Sequence, residues 1–189
     1  NSMLKTAALV VALAGSAALA GPFIAATVSP NPDTLLAFDS ATPGTNTTVH
    51  TLAGNFTRGI VMDSPTTGYA VYTSSLSGSD TGFYRFTIGG ANTQIAELPF
   101  TSGTDGDLTW NADKTLLYWV VDPPTAGVEE QIWSITPSGT FTEISTIALP
   151  GVTAPNIIGA AFDRATGDIL VFDITSDSLY SVDIPTGMG

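Results

Sequence analysis

The chain has 189 residues, enough for one domain with a sizeable core or for a short array of repeats. Five Lys and Arg face 17 Asp and Glu, a net charge of −12 that repels phosphate backbones and anionic membrane surfaces and so argues against nucleic acid as a partner. Cysteine is absent, which excludes disulfides, thiolate nucleophiles and cysteine-bound zinc or iron–sulfur centres.

Residues 1–20 are expected to be a signal peptide of the Sec type. Asn1-Ser2 precede Met3, Lys5 supplies a short basic start, and Ala7 to Ala14 form an apolar stretch too short to span a bilayer. Ala18-Leu19-Ala20 is a small-x-small signal that places cleavage after Ala20, which predicts a secreted or periplasmic chain with no membrane span in its mature part. Residues 21–34, with Pro22, Pro30 and Pro32, read as a linker.

From residue 35 onward, short β-branched and aromatic runs with alternating polarity are separated by Gly, Pro, Asn, Asp and Ser. Strands are predicted in order at Leu35–Asp39, Thr47–Leu52, Gly59–Asp63, Tyr69–Thr73, Phe83–Ile88 and Thr93–Leu98. They continue at Asp107–Trp110, Leu116–Val121, Gln131–Thr136, Phe141–Leu149, Ile157–Asp163, Ile169–Asp173 and Ser178–Ile184. No window after the leader carries a helical period, so the fold class is all-β.

Two motifs recur in step. GIVMDSPTTGYAVYT, DLTWNADKTLLYWVV and GAAFDRATGDILVF align on Asp63, Asn111 and Asp163, with spacings of 48 and 52 residues. YRFTIGG, WSITPSG, YSVDIPTG and a weaker LAFDSATPG align on Phe86, Ile135, Val182 and Phe38, with spacings from 47 to 49. Two interleaved motifs that keep one period define a repeat. Each unit reads as four antiparallel strands, and the second strands (Leu116 to Val121, Ile169 to Phe172) are almost continuously apolar, as strands covered on both faces are. Four-stranded sheets sandwiched between copies of themselves make a β-propeller arrangement. The blades fall at about 58–98 and 107–149, with an incomplete one at 157–187 and two strands of a preceding blade at 35–52, about three and a half blades in 35–187. Closed propellers need four to eight blades. The array is therefore expected to be part of a larger propeller, a four-bladed closure, or an open array completed by another copy through its unpaired blade edges.

DLTWNADKTLLYWVVD followed by QIWSITPSG resembles the repeat of the secreted β-propeller superfamily that includes NHL-type, surface-layer-type and lactonase-like members. The resemblance covers about residues 35 to 187 and implies architecture more than activity, because propellers host many unrelated functions. Its calcium-dependent lactonases carry Asn or Asp just before the glycine that opens several first strands. The matching positions here are Arg58, Asp105 and Ile158, so only Asp105 could ligate calcium there, short of the six to eight oxygens that ion takes.

Asp105 and Asp107, in the polar run Thr101 to Asp107, are the candidate metal ligands, and calcium is the one cofactor left open. His50, the only histidine, reads as an outer-strand residue, and no G-x-S-x-G elbow accompanies it. Glu129-Glu130 read as a solvated loop tip, Asp63, Asn111 and Asp163 as turn caps, and the Trp and Tyr residues as core. No catalytic residue is assigned. The expected role is a secreted, non-catalytic binding or scaffold module for a protein or carbohydrate ligand. The alternatives are a propeller-type hydrolase or lactonase with part of its site in other blades, and a self-assembling surface or structural protein.

Overall fold

The computed structural model describes residues 23–27, 33–39, 42–53, 57–72, 81–100, 106–123 and 129–189; residues 1–20, expected to be a signal peptide, lie outside them. Fourteen strands are formed, and no helix occurs among the described residues. They are β1 (Phe23–Thr27), β2 (Thr34–Asp39), β3 (Thr42–Thr51), β4 (Thr57–Met62), β5 (Thr67–Tyr72), β6 (Gly82–Thr87) and β7 (Asn92–Ala96). The second half holds β8 (Gly106–Trp110), β9 (Leu117–Val121), β10 (Gln131–Ile135), β11 (Phe141–Thr146), β12 (Ile157–Phe162), β13 (Ile169–Asp173) and β14 (Ser178–Val182).

The strands form four antiparallel sheets in simple meander order: β1-β2-β3, β4-β5-β6-β7, β8-β9-β10-β11 and β12-β13-β14. This is an open, partial propeller-like fold. Every strand expected from residue 35 onward is present. The segment expected as a linker also contains β1, whose backbone pairs along β2 from Phe23↔Phe38 to Thr27↔Thr34. Phe-Ile-Ala-Ala-Thr is Ala-rich and flanked by prolines, so local propensity gives it little β signal; the ladder with β2 supplies what propensity does not.

Ladder register fixes which residues are equivalent. Thr27↔Thr34, Tyr72↔Gly82, Val121↔Gln131 and Asp173↔Ser178 are the matching end pairs of the four sheets. β1, β2 and β3 are therefore the second, third and fourth strands of the repeat, whereas β12, β13 and β14 are the first, second and third. The first strands of successive blades run side by side, β4 beside β8 and β8 beside β12. The sheets pack in chain order, and no comparable packing joins the fourth sheet to the first among the described residues.

The core lies between the sheets. Leu35, Ala70, Tyr72 and Phe86 fill the first junction; Tyr69, Phe83, Leu108, Trp119 and Ile135 the second; Val120, Ile132, Val171 and Val182 the third. Alternate residues of one strand therefore serve two junctions: Trp119 faces back and Val120 faces forward. That accounts for the unbroken apolar run in β9, where every residue but the half-buried Tyr118 is fully buried and each such side chain contributes about 1.5–3 kcal/mol. Aromatic pairs reinforce the second junction, with Trp119 stacked on Phe100 at 5.2 Å and Tyr69 on Phe83 at 5.3 Å between ring centroids.

The β-turns between first and second strands are capped locally. Asn111 Oδ1 accepts from the N–H groups of Thr115 (2.9 Å) and Leu116 (3.1 Å), and Asp163 Oδ1 from Ala165 (2.8 Å). In the second blade Ser64 takes that part, its Oγ accepting from Thr66 and Thr67, while Asp63 contributes through its backbone.

Candidate functional site

The polar chemistry of the chain concentrates where one sheet meets the next. On β8, Asp107 Oδ1 accepts the N–H of Leu108 at 2.8 Å and Oδ2 accepts that of Ala160, on β12, at 3.0 Å. Two residues on, Thr109 Oγ1 accepts the N–H of Phe162 at 3.0 Å. Alternation on β8 aims both side chains at β12, whose facing N–H groups have no strand beside them to receive them. At the preceding junction, Trp110 Nε1 donates to Met62 O at 3.0 Å and Lys114 Nζ to Asp63 O at 2.9 Å.

The end pairs Met62↔Gly68, Trp110↔Leu117 and Phe162↔Ile169 place Gly59, Asp107 and Gly159 at one register position. Gly59 serves by having no side chain: a Cβ there would lie 2.8 Å from Leu108 N. The position before these three is held by Arg58, Gly106 and Ile158. Asp105, the other candidate ligand, lies outside the described residues. Asp107 is described, with both oxygens engaged by backbone N–H groups. Burial raises its carboxyl from the usual 3.8 to about 7, and the hydrogen bonds from Ala160 and Leu108 oppose that rise.

Asp107 is half-buried; three other carboxylates are fully buried, Asp33, Glu130 and Asp173. Asp33 Oδ2 accepts from Thr57 N at 2.6 Å and Thr57 Oγ1 at 2.8 Å, which ties the first sheet to the start of β4. Glu130 Oε1 accepts from Ile157 N at 2.9 Å and ties the third sheet to the start of β12. Both occupy the residue just before a third strand, so they are one device used at two junctions; Thr81 and Asp177 hold the same place in the other two blades. Glu130 is therefore no loop tip, and only Glu129 of the pair is exposed. The repeat alignment carried this signal, with a carboxylate at three of four equivalent positions.

Asp173 works within its own sheet, accepting from Asn156 N (2.6 Å), Ser176 N (2.8 Å) and Ser176 Oγ (2.6 Å). Burial works to raise its carboxyl, but these hydrogen bonds outweigh it and hold the group below the usual carboxylate range. Asp113 is also held low, by the hydroxyl and N–H of Thr115.

His50 is buried, stacked on Phe86 at 5.6 Å, and its Nε2 lies 2.9 Å from Asn92 Oδ1. Asn92 Nδ2 donates to Thr51 O at 3.0 Å, so Oδ1 is the acceptor and His50 Nε2 carries the proton. The histidine thus fastens β3 of the first sheet to β7 of the second. A shallow surface depression lies beside it, lined by Thr48, Val49, His50, Thr51, Gly89 and Gly90. Among the described residues, no three His, Asp or Glu side chains are grouped to hold a metal ion.

No family model matches the chain, and no curated protein matches it. Among solved structures it is similar to an oligogalacturonate lyase in complex with manganese, with 12% identity and a TM-score of 0.39. The match covers 80% of this chain and 42% of that one, so the chain spans less than half the length of that protein.

Proposed function

We propose that the chain is a non-catalytic binding or scaffold module of the secreted β-propeller superfamily, exported through its leader and presenting its blades to a protein or carbohydrate ligand. One observation carries the reading: Asp33, Asp107 and Glu130 each turn an oxygen toward a backbone N–H of the next sheet, so they act as joints between blades. A carboxylate engaged in that way is a poor metal ligand and a poor nucleophile.

The hydrolase reading is the second, and Asp107 is what favours it. A carboxyl titrating near 7 on a first strand has the acidity that general acid–base work needs. The test pairs a printed oligosaccharide array with an assay of gluconolactone ring opening, with and without calcium. The binding reading expects saturable retention of one glycan class, or none if the ligand is a protein, and lactone opening no faster than in buffer. Opening that is lost in Asp107→Asn would overturn it in favour of the hydrolase.

A further inference from the structure

The outer strands β3, β7 and β11 each carry a β-bulge at the same place, at Val49, Ile95 and Ile144. The residue after the bulge, His50, Ala96 or Ser145, meets the turn that follows the third strand of the next blade. Two of these meetings are closed. A Cβ added at Gly139 would lie 2.7 Å from that of Ala96, and Ser145 Oγ donates to Ile184 O at 2.6 Å. Gly90 is the equivalent of Gly139 and Gly187, since each donates its N–H back to the first residue of its turn. A Cβ at Gly90 would meet only Thr87 of its own turn, and one at Gly89 would have nothing within 4 Å. His50, larger than alanine or serine, reaches past this turn to Asn92, and the turn stands off β3. The gap is the depression lined by Thr48, Val49, His50, Thr51, Gly89 and Gly90, with a volume of about 370 Å³. Nothing in the repeat requires it, because the equivalent contacts close without it.

We propose that this depression binds a neutral carbohydrate, one of whose hydroxyls donates to His50 Nδ1. The bond from Nε2 to Asn92 sets the tautomer, so Nδ1 carries a lone pair. His50 is only 6% exposed, yet Nδ1 bonds nothing among the described residues and is not sealed from the surface. A lone pair calls for a donor. None of the described lining residues is charged, so an ammonium group would find no counter-charge there. An anion would meet an acceptor in a chain of net charge −12. A sugar hydroxyl fits, and its neighbours on the ring can both donate to and accept from the exposed Thr48 and Thr51. The volume lies at the lower end of the range of about 300–1,000 Å³ that small-ligand sites occupy. The inference rests on the binding reading and gives it a site and a ligand class.

His50 is the only histidine, so its ring nitrogens give unambiguous signals in proton–nitrogen NMR of the full chain. The free protein should show Nε2 protonated and Nδ1 bare. Maltose, cellobiose, xylobiose and mannobiose are titrated in turn into the high-millimolar range. One of them should shift Nδ1 and the amides of Thr51, Gly89 and Gly90 saturably. Thr51→Val keeps shape and strand preference, and should weaken that binding about fivefold through one lost hydrogen bond, with an unchanged urea midpoint. His50→Phe keeps a ring against Phe86 and should abolish binding; if it does not fold, Thr51→Val and the wild-type Nδ1 signal still decide. A disaccharide that binds while His50 and the turn stay unshifted would overturn this site and leave the binding reading standing. No saturable shift with any of the four, or a protonated Nδ1 in the free protein, would overturn the site as well. The binding reading itself falls to a different result, lactone opening that is lost in Asp107→Asn.

Discussion

Asp107 makes the stability of this fold depend on pH in a direction opposite to most acidic proteins. Its carboxyl lies at about 7 in the folded chain against the usual 3.8, so the folded state holds a proton that the unfolded state has released. For a raised acid the contribution is complete below the unfolded value and is lost as pH rises through the folded one. Integrating that difference from about pH 5 to about pH 8 gives a loss of about 2.5 kcal/mol. Asp113 and Asp173, whose carboxyls are held low, lose their contributions only in acid, below the ordinary carboxylate range, so they are silent in this window. Urea unfolding followed by the fluorescence of Trp110, Trp119 and Trp133 at several pH values measures the slope. Asp107→Asn, which keeps one acceptor and loses the titration, should be about 1 kcal/mol less stable near pH 5 through one lost hydrogen bond, and as stable as wild type or more so near pH 8. A wild type equally stable at both ends, or a variant with the same fall, would refute the assignment of this slope to Asp107.

Three other substitutions probe the junctions. Gly59→Ala should destabilise by about 1–3 kcal/mol by pushing β4 off Leu108, seen as a lower urea midpoint with unchanged slope. Glu130→Ala leaves the buried N–H of Ile157 without its acceptor, at about 1–3 kcal/mol, and amide exchange should quicken at Ile157 before it does at Leu108. Trp119→Ala, at a fully buried position, should lose about 3–5 kcal/mol. Trp119→Phe should lose much less, because among the described residues the indole N–H has no acceptor and its removal relieves that cost; calorimetry separates the two.

Strand positions could be read because two constraints coincide along the chain. A strand covered on both faces must be apolar throughout, as Leu117 to Val121 are, and turns capped by Ser64, Asn111 and Asp163 recur in step with it. The junction chemistry escaped for the opposite reason. Nothing local distinguishes Glu130 from its exposed neighbour Glu129; only the position of β12, 27 residues further on, makes one of them a buried acceptor. His50 likewise sits in a Thr-rich strand with no signal of burial, and its partner Asn92 is 42 residues away. Asp107 was read from the sequence as a candidate ligand for an ion; the hydrogen bonds it makes with the N–H groups of Leu108 and Ala160 depend on β12, which nothing in its own segment announces. β1 was missed because its order comes from β2 and not from its own residues.

The contrast between Gly59 and Asp107 has a geometric consequence. At one junction the backbones of two first strands touch directly; at the next, a carboxylate stands between them. Which residue stands at this one register therefore decides how two first strands meet: glycine lets the backbones of β4 and β8 touch, while between β8 and β12 the contact is made through a carboxylate that answers a strand N–H.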